Sequence, residues 1–325
     1  MKPFTFSKPE NLGKALSIKK DTVQFIAGGT NLLDLMKKNI AGPDAVLDIT
    51  TALSSKIEQQ GKGVRIGAMV RNSAITTDKT ILSKYPLVAK AVLAGASPQI
   101  RNMASTAGNL LQRTRCPYFY DITTPCNKRK PGSGCSAING ENRMNAIVGY
   151  NEQCVAVHPS DLCVALAALD ATVATTDKNK KQLSIPFKDF HKLPGDTPQL
   201  DNNLPANAII TSVDIAENPF SKNFYYLKLR DRDSYAFALV SVAAALHLQD
   251  NHIADARLAS GGVAHKPWRW YEAEQYLKGK APSASTFSAA ADIVIKDVKP
   301  LSNNGFKKSM LRGAVETALQ NCLTA

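Results

Sequence analysis

Four cysteines, Cys116, Cys126, Cys135 and Cys154, fall in one glycine- and arginine-rich stretch of a 325-residue chain. Four thiolates gathered in a polar loop form a donor set for a soft metal ion or an iron-sulfur cluster. Their spacing, C-x9-C-x8-C-x18-C, has none of the C-x-x-C knuckles of a zinc ribbon or of the common ferredoxin runs. Taken alone, the pattern suits loop thiols or two disulfides as well as an inorganic centre. Cys163 and Cys322 lie on helical stretches outside the loop and read as small buried hydrophobes without a ligand role.

Two glycine-bearing stretches precede the cysteines. Phe25-Ile26-Ala27-Gly28-Gly29-Thr30-Asn31-Leu32-Leu33 places two glycines and two small polar residues between a strand and a helix. Glycines let the backbone approach an anion closely, amides at the helix start point toward it, and the Thr30 hydroxyl adds a donor, which suits a diphosphate. A plain strand-to-helix turn capped by Thr30 or Asn31 fits the same letters. The second stretch, Ser97 to Asn109, is denser in hydrogen-bonding groups than a connection needs and could clasp a large polar ligand. His158-Pro159-Ser160-Asp161 sets a carboxylate at a helix start, where capping is the simpler reading.

Gly132-Ser133-Gly134-Cys135-Ser136-Ala137 spells the letters of a dinucleotide fingerprint, but the charged Asn127 to Pro131 before it cannot be the buried strand that fingerprint needs. Those glycines free the loop to fold around whatever the cysteines hold. Lys228 to Phe237 joins a strand to an apolar run through alternating charges, and a basic residue there could stabilise negative charge on a reduced ring. Gly261 to Trp268, with the lone His265, reads as a structural turn.

The elements that must position these residues are legible in outline. Gln24–Ala27 and Ala45–Ile49 are strand-like around a helix at Leu32–Lys38, a small unit of about fifty residues. Val64–Gly67 opens a second unit with helices at Ile81–Ala94 and Leu162–Leu169, the cysteine loop between them. Ile209–Ile215 is apolar, and the polar run Glu217 to Asn223 after it marks a boundary. A third unit follows: strand Phe224–Leu229, a buried helix at Ala236–Leu248, strand Ala254–Ser260, then helices.

That helix is the longest apolar run and falls short of the roughly 20 residues that span a bilayer. Met1 to Phe6 lacks an apolar signal core and a cleavage site, so the expectation is cytoplasm, or export in company. The net charge of +13 is spread along the chain without any nucleic-acid-binding pattern, and suits acidic sister subunits or solubility.

Together, AGGTNLLDLMK, SPQIRNMASTAGNLLQRTRCPYFYD, PCNKRKPGSGCSAI, CVAVHPSD and KLRDRDSYAFALVSVA resemble the FAD-binding medium subunit of the xanthine dehydrogenase family of molybdenum hydroxylases. The likeness runs in order from Phe4 to about Trp268 and is greatest to members that serve periplasmic aldehyde oxidoreductases, which carry an iron-sulfur cluster in a loop where most relatives have a short turn. The fold so implied is α+β: a two-part flavin-binding domain of the vanillyl-alcohol-oxidase-like type over residues 1–220, then a smaller α/β C-terminal domain over 221–325. The first domain divides into about 1–52 and 53–220, with the iron-sulfur loop at about 113–157.

By position, the resemblance implies that Phe25, Ile26, Ala27, Gly28, Gly29, Thr30, Asn31, Leu32 and Leu33 wrap the FAD pyrophosphate. Ser105, Thr106, Gly108 and Asn109 hold the adenosine and diphosphate side, Asp161 lines the site, Lys228 lies near the isoalloxazine, and Ile209 or Ile210 packs on the ring or its ribityl arm. Relatives usually have two glycines before this Asn; here Ala107 precedes Gly108. Cys116, Cys126, Cys135 and Cys154 ligate a 4Fe-4S cluster, with Arg113, Arg115, Lys128 and Arg129 offsetting its negative charge.

The implied activity is electron transfer in an oxidoreductase whose substrate chemistry occurs elsewhere. A molybdenum-bearing large subunit hydroxylates an aldehyde, a small subunit with two 2Fe-2S clusters passes electrons on, and FAD in this chain delivers pairs to an external acceptor. Three alternatives share some of these features: a stand-alone FAD oxidoreductase, a subunit of a hydroxybenzoyl-thioester reductase, and a zinc-stabilised binding module. Co-elution with two further chains separates the first from the subunit reading, and a yellow-brown colour excludes the last.

Overall fold

The computed structural model describes residues 1–324, arranged as three sheets with helices between and around them. Strands β1 (Thr5–Ser7), β2 (Val23–Ile26) and β3 (Ala45–Asp48) form a parallel sheet with β3 in the centre. Each link between them carries a short helix, Leu12–Ile18 and then Leu32–Lys37, as a parallel pair requires a crossover. Val46 and Leu47 of the central strand are buried.

The second sheet is antiparallel, in the order β4 (Ile57–Gln60), β5 (Gly63–Gly67), β8 (Ala208–Ile215), β6 (Thr172–Asp177), β7 (Gln182–Pro186). Between β5 and β6 the chain leaves the sheet and supplies helices Pro86–Ala94 and Asp161–Ala168, whose apolar faces share one core with Val64, Ile66, Val173, Ile210 and Val213. The helix expected over Ile81–Ala94 is two helices, Lys79–Lys84 and Pro86–Ala94. The break falls at Tyr85-Pro86, because proline has no amide to donate back and pushes the residue before it out of the helical region.

The third sheet, also antiparallel, runs β9 (Asn223–Leu229), β10 (Val240–Gln249), β11 (His252–Gly261) and β12 (Trp268–Arg269) in the spatial order β12-β11-β10-β9. The helix expected at Ala236–Leu248 is therefore a strand, and the C-terminal unit is α+β rather than α/β. The cause lies in burial on both faces. Val242, Ala244 and Leu246 enter a core with helices Tyr271–Leu277, Ala284–Ile295 and Phe306–Asn321, while Ala243 and Ala245 enter the core of the preceding unit. A strand apolar on both sides shows no alternation, so its period is hidden. Pairing with β9 on one edge and β11 on the other satisfies its backbone groups. Among the described residues, no helix is long and apolar enough to cross a membrane.

Lys307, fully buried on the last helix, ties this unit to the loop region. Its Nζ donates to the carbonyls of Met144 (3.1 Å), Asn145 (2.9 Å) and Gly262 (2.8 Å). Burial pulls its pKa down to about 7. Lys307→Met removes all three bonds from a dry site and is expected to cost roughly 3 kcal/mol of stability, read by urea denaturation.

Candidate flavin cleft and cysteine cage

Gly28 and Gly29 end β2 and turn the chain into helix Leu32–Lys37. Gly29 has φ +73°, and a Cβ on Gly28 would lie 1.8 Å from the Met103 carbonyl oxygen. Only glycine permits that approach of the first loop to the second. Two hollows share these loops. One, of about 610 Å³, is lined by Ala27, Gly28, Arg71, Met103 and Ser105; the other, of about 640 Å³, by Thr30, Asn31, Asn109, Ser160, Asp161 and Lys228. An elongated cofactor with two unlike ends suits such a pair.

Ser105 caps the short helix Thr106–Leu110, its Oγ accepting from the Gly108 amide at 3.2 Å. A methyl on Gly108 would meet that oxygen at 2.9 Å, so the glycine belongs to the cap. Ala107 turns into the core, where its extra carbon is accommodated away from the cleft. Asn109 Oδ1 accepts from the Ser160 hydroxyl and from Gln112 Nε2 (3.1 Å).

Asp161 opens helix Asp161–Ala168 and is nearly buried. One carboxylate oxygen accepts from Tyr226 Oη at 2.7 Å, the other from Lys228 Nζ at 2.8 Å. Lys228, on β9, also donates to the Ala94 carbonyl (3.0 Å), which Arg230 shares (2.9 Å). Burial first, and then the Asp161 charge, pushes the Tyr226 phenol well above its ordinary range, so it remains a donor. Lys228 and Asp161 thus form one charged wall of the larger hollow, with the Tyr226 phenol bonded to that carboxylate.

Several expected cofactor contacts, among them Thr106, Ile209, Ile210, Phe25 and Leu33, line neither hollow. Thr106 is fully buried, with its hydroxyl (3.0 Å) and amide (2.8 Å) both given to the Val70 carbonyl. Ile209 and Ile210 are both buried in the first core on β8 and line neither hollow. Phe25 is half-buried against the same core, and Leu33 is largely exposed. Thr30, Asn31, Asn109, Asp161 and Lys228 do meet at one hollow, and Ala27, Gly28 and Ser105 at the other.

The four loop cysteines converge. Cys116, Cys126, Cys135 and Cys154 line a single small hollow, and Cys126 pairs with Cys135 as an isolated antiparallel bridge. None is in a disulfide. Gly132 (φ +81°) and Gly134 (φ +95°) make the turn between Cys126 and Cys135, with the Gly134 amide held by Asn127 Oδ1 at 2.8 Å. Asn145 Nδ2 donates to Cys116 Sγ at 3.8 Å.

Burial raises the Cys116 thiol above its ordinary range and the Cys154 thiol to about 12, so a metal centre here must displace protons to bind. Tetrahedral zinc needs thiolates about 3.8 Å apart. Among the described residues, the donors drawn within 4.8 Å of one another are instead His158, Cys163 and His191. The loop sulfurs share one small hollow of about 10 Å³ but include no three donors that close together.

The basic residues near the cage have different duties. Lys128, buried, and Arg113 (2.7 Å) both pair with Asp201, which sequence gave no sign of. Although burial pushes that carboxyl up, the two cations hold it down to about 2. Arg129 donates to the carbonyls of Tyr118 (2.7 Å), Phe119 (2.9 Å) and Thr124, and so braces the loop backbone. Arg115 leaves the cage and enters the flavin-side hollow.

Beside Asp201 lie three buried histidines. His191 Nε2 donates to the Leu110 carbonyl (2.9 Å), His265 Nδ1 to the Lys192 carbonyl (2.8 Å), and His158 Nδ1 accepts from the Ser160 amide (3.3 Å). Burial lowers all three pKa values, to about 4 for His191 and His265.

Family comparison agrees with this geometry. Residues 2–217 match the FAD binding domain in molybdopterin dehydrogenase, and residues 225–324 match the CO dehydrogenase flavoprotein C-terminal domain. The chain belongs to this family of FAD-binding oxidoreductase flavoproteins. It is 44% identical over 322 residues, 98% of each chain, to the aldehyde oxidoreductase FAD-binding subunit PaoB of Escherichia coli. It is 27% identical over 304 residues to the glyceraldehyde dehydrogenase medium chain of Sulfolobus acidocaldarius, covering 93% of this chain and 90% of that one. Carbon monoxide dehydrogenase from Hydrogenophaga pseudoflava shares the fold, with a TM-score of 0.76 at 21% identity, covering 100% of this chain and 99% of that one.

Two outcomes are expected. Gly28→Ala forces the two loops apart and should weaken FAD binding at least tenfold, or about 1.4 kcal/mol, by fluorescence titration of the stripped protein. Because His191 and His265 stay neutral in the fold while the unfolded chain takes up protons below about 6.5, stability falls between pH 6.5 and about 4, by on the order of 3 kcal/mol per histidine, and levels off below. Replacing His191 with Leu should flatten that part of the stability curve.

Proposed function

We propose that this chain is the FAD- and 4Fe-4S-bearing electron-transfer subunit of a molybdenum-dependent aldehyde oxidoreductase. The observation that carries the reading is the coincidence, in one loop, of four convergent free cysteines beside a flavin-side hollow. Full-length similarity to an aldehyde oxidoreductase FAD-binding subunit supports the substrate class. FAD, when bound, exchanges electron pairs with an acceptor and single electrons with metal clusters.

The chain's own residues bind and orient. Gly28 and Gly29 admit the diphosphate, Ser105 and Gly108 fix the second loop, and Asp161 with Lys228 presents a charged wall to the ring. Cys116, Cys126, Cys135 and Cys154 hold the cluster as thiolates, and Asn145 donates a bond to the Cys116 sulfur that favours the reduced form. The partners are a molybdenum-bearing large subunit and a small subunit with two 2Fe-2S clusters. Assembly before export with a partner that bears a twin-arginine signal fits a periplasmic site of action.

Purified protein is expected to carry about four irons and one FAD per chain. Changing any one of Cys116, Cys126, Cys135 or Cys154 to Ser should remove the iron, whereas Cys163→Ser and Cys322→Ser should keep it. Zinc in place of iron, or iron untouched by the loop substitutions, refutes the cluster assignment. Absence of molybdenum and of two further chains from the natively purified complex refutes the subunit assignment.

A further inference from the structure

Arg115 stands next to Cys116 in sequence, yet its side chain belongs to the other site. The guanidinium donates to Asn31 Oδ1, at the end of the double-glycine loop, and to the Tyr120 hydroxyl. Its carbon lies 5.3 Å from the centre of the Phe237 ring, and it lines the hollow that holds Asp161 and Lys228. No carboxylate pairs with it among the described residues, in contrast to Arg113, which has Asp201. Its Nε is buried and has no hydrogen-bond partner.

A buried guanidinium N–H without an acceptor is costly, by roughly 1–3 kcal/mol or more for a charged donor. Arg115 is nonetheless held in place by Asn31 and Tyr120 on one side and by an aromatic face on the other. The fixed side chain keeps an unneutralised charge at the wall of the hollow. Aromatic neighbours suit a flat ring, and a fixed cation suits a ring that gains negative charge on reduction.

We propose that Arg115 is a positioning and potential-setting residue for the flavin: its guanidinium, held at the wall of the hollow without a paired carboxylate, orients the bound ring and favours its anionic reduced form. The proposal rests on the reading of this cleft as the flavin site and does not depend on what the cysteines hold. It has a structural corollary. Because Arg115 and Cys116 are consecutive, and Cys116 caps the short helix Pro117–Tyr120 that carries Tyr120, the backbone of the cysteine cage sets where the cation sits against the flavin.

The test uses the purified complex, or the full chain with FAD, and measures the two-electron flavin midpoint potential, the FAD dissociation constant and the iron content. Arg115→Gln should disfavour the reduced flavin at least tenfold, a fall of about 30 mV, and weaken FAD binding while iron content stays unchanged. Arg115→Lys, which restores charge but not the fork, should recover part of the potential. An Arg115→Gln protein replete in FAD with an unaltered potential overturns this proposal alone, whereas a wild-type chain that binds no FAD overturns it together with the flavin reading.

Discussion

The buried contact between Lys228 and Asp161 sets the relation of the two halves of the chain. Lys228 comes from the C-terminal sheet, Asp161 from the first turn of a helix in the preceding unit, and the Ala94 carbonyl from a third segment. Both charges are almost wholly withdrawn from water, with side chains 4% and 8% exposed. A pair so placed gives little net stability against an apolar substitute, but losing one partner strands the other, at a cost of about 3–5 kcal/mol. The geometry is therefore strongly specified. The close approach of Gly95 to Asp161 Oδ2 (3.1 Å for a built Cβ) and the Tyr226 bond to the same carboxylate leave it no alternative partner.

The cysteine loop meets a related constraint with opposite sign. Four sulfurs are drawn into one region, where burial pushes the Cys116 and Cys154 thiols up, while two cations, Lys128 and Arg113, are balanced by one carboxylate. The region so retains one positive charge in excess, which suits an anionic centre. The loop backbone is fixed separately, by Arg129 on three carbonyls and by Lys307 on the Met144–Asn145 segment. Charge and shape are thus handled by different residues, which is why arginines that look equivalent in sequence have such different places in the fold.

Much of this was legible in the residues themselves. Gly28-Gly29 after a strand, Ser105 to Asn109, Ser160-Asp161 at a helix start and Lys228 were identifiable because close backbone approach, capping and charge restrict the residue types allowed. The cysteines were identifiable as a set. What the residues did not show has physical reasons. A strand buried on both faces shows no alternation, so β10 read as a helix. Thr106, Ile209 and Ile210 are satisfied by core and backbone partners that only the tertiary structure supplies. Asp201, Tyr226 and His191 are 73 residues from Lys128, 65 from Asp161 and 81 from Leu110, and no local pattern announces a pairing at such range.

The two glycines in the Cys126–Cys135 turn have left-handed dihedrals and no heavy atom near either would-be Cβ apart from Pro125 at 3.9 Å. Of the cysteines beside that turn, Cys126 and Cys154 are buried, and Cys116 and Cys135 are partly so. Space at both positions would admit a side chain, so it is the backbone conformation of the turn and not crowding that reserves them for glycine.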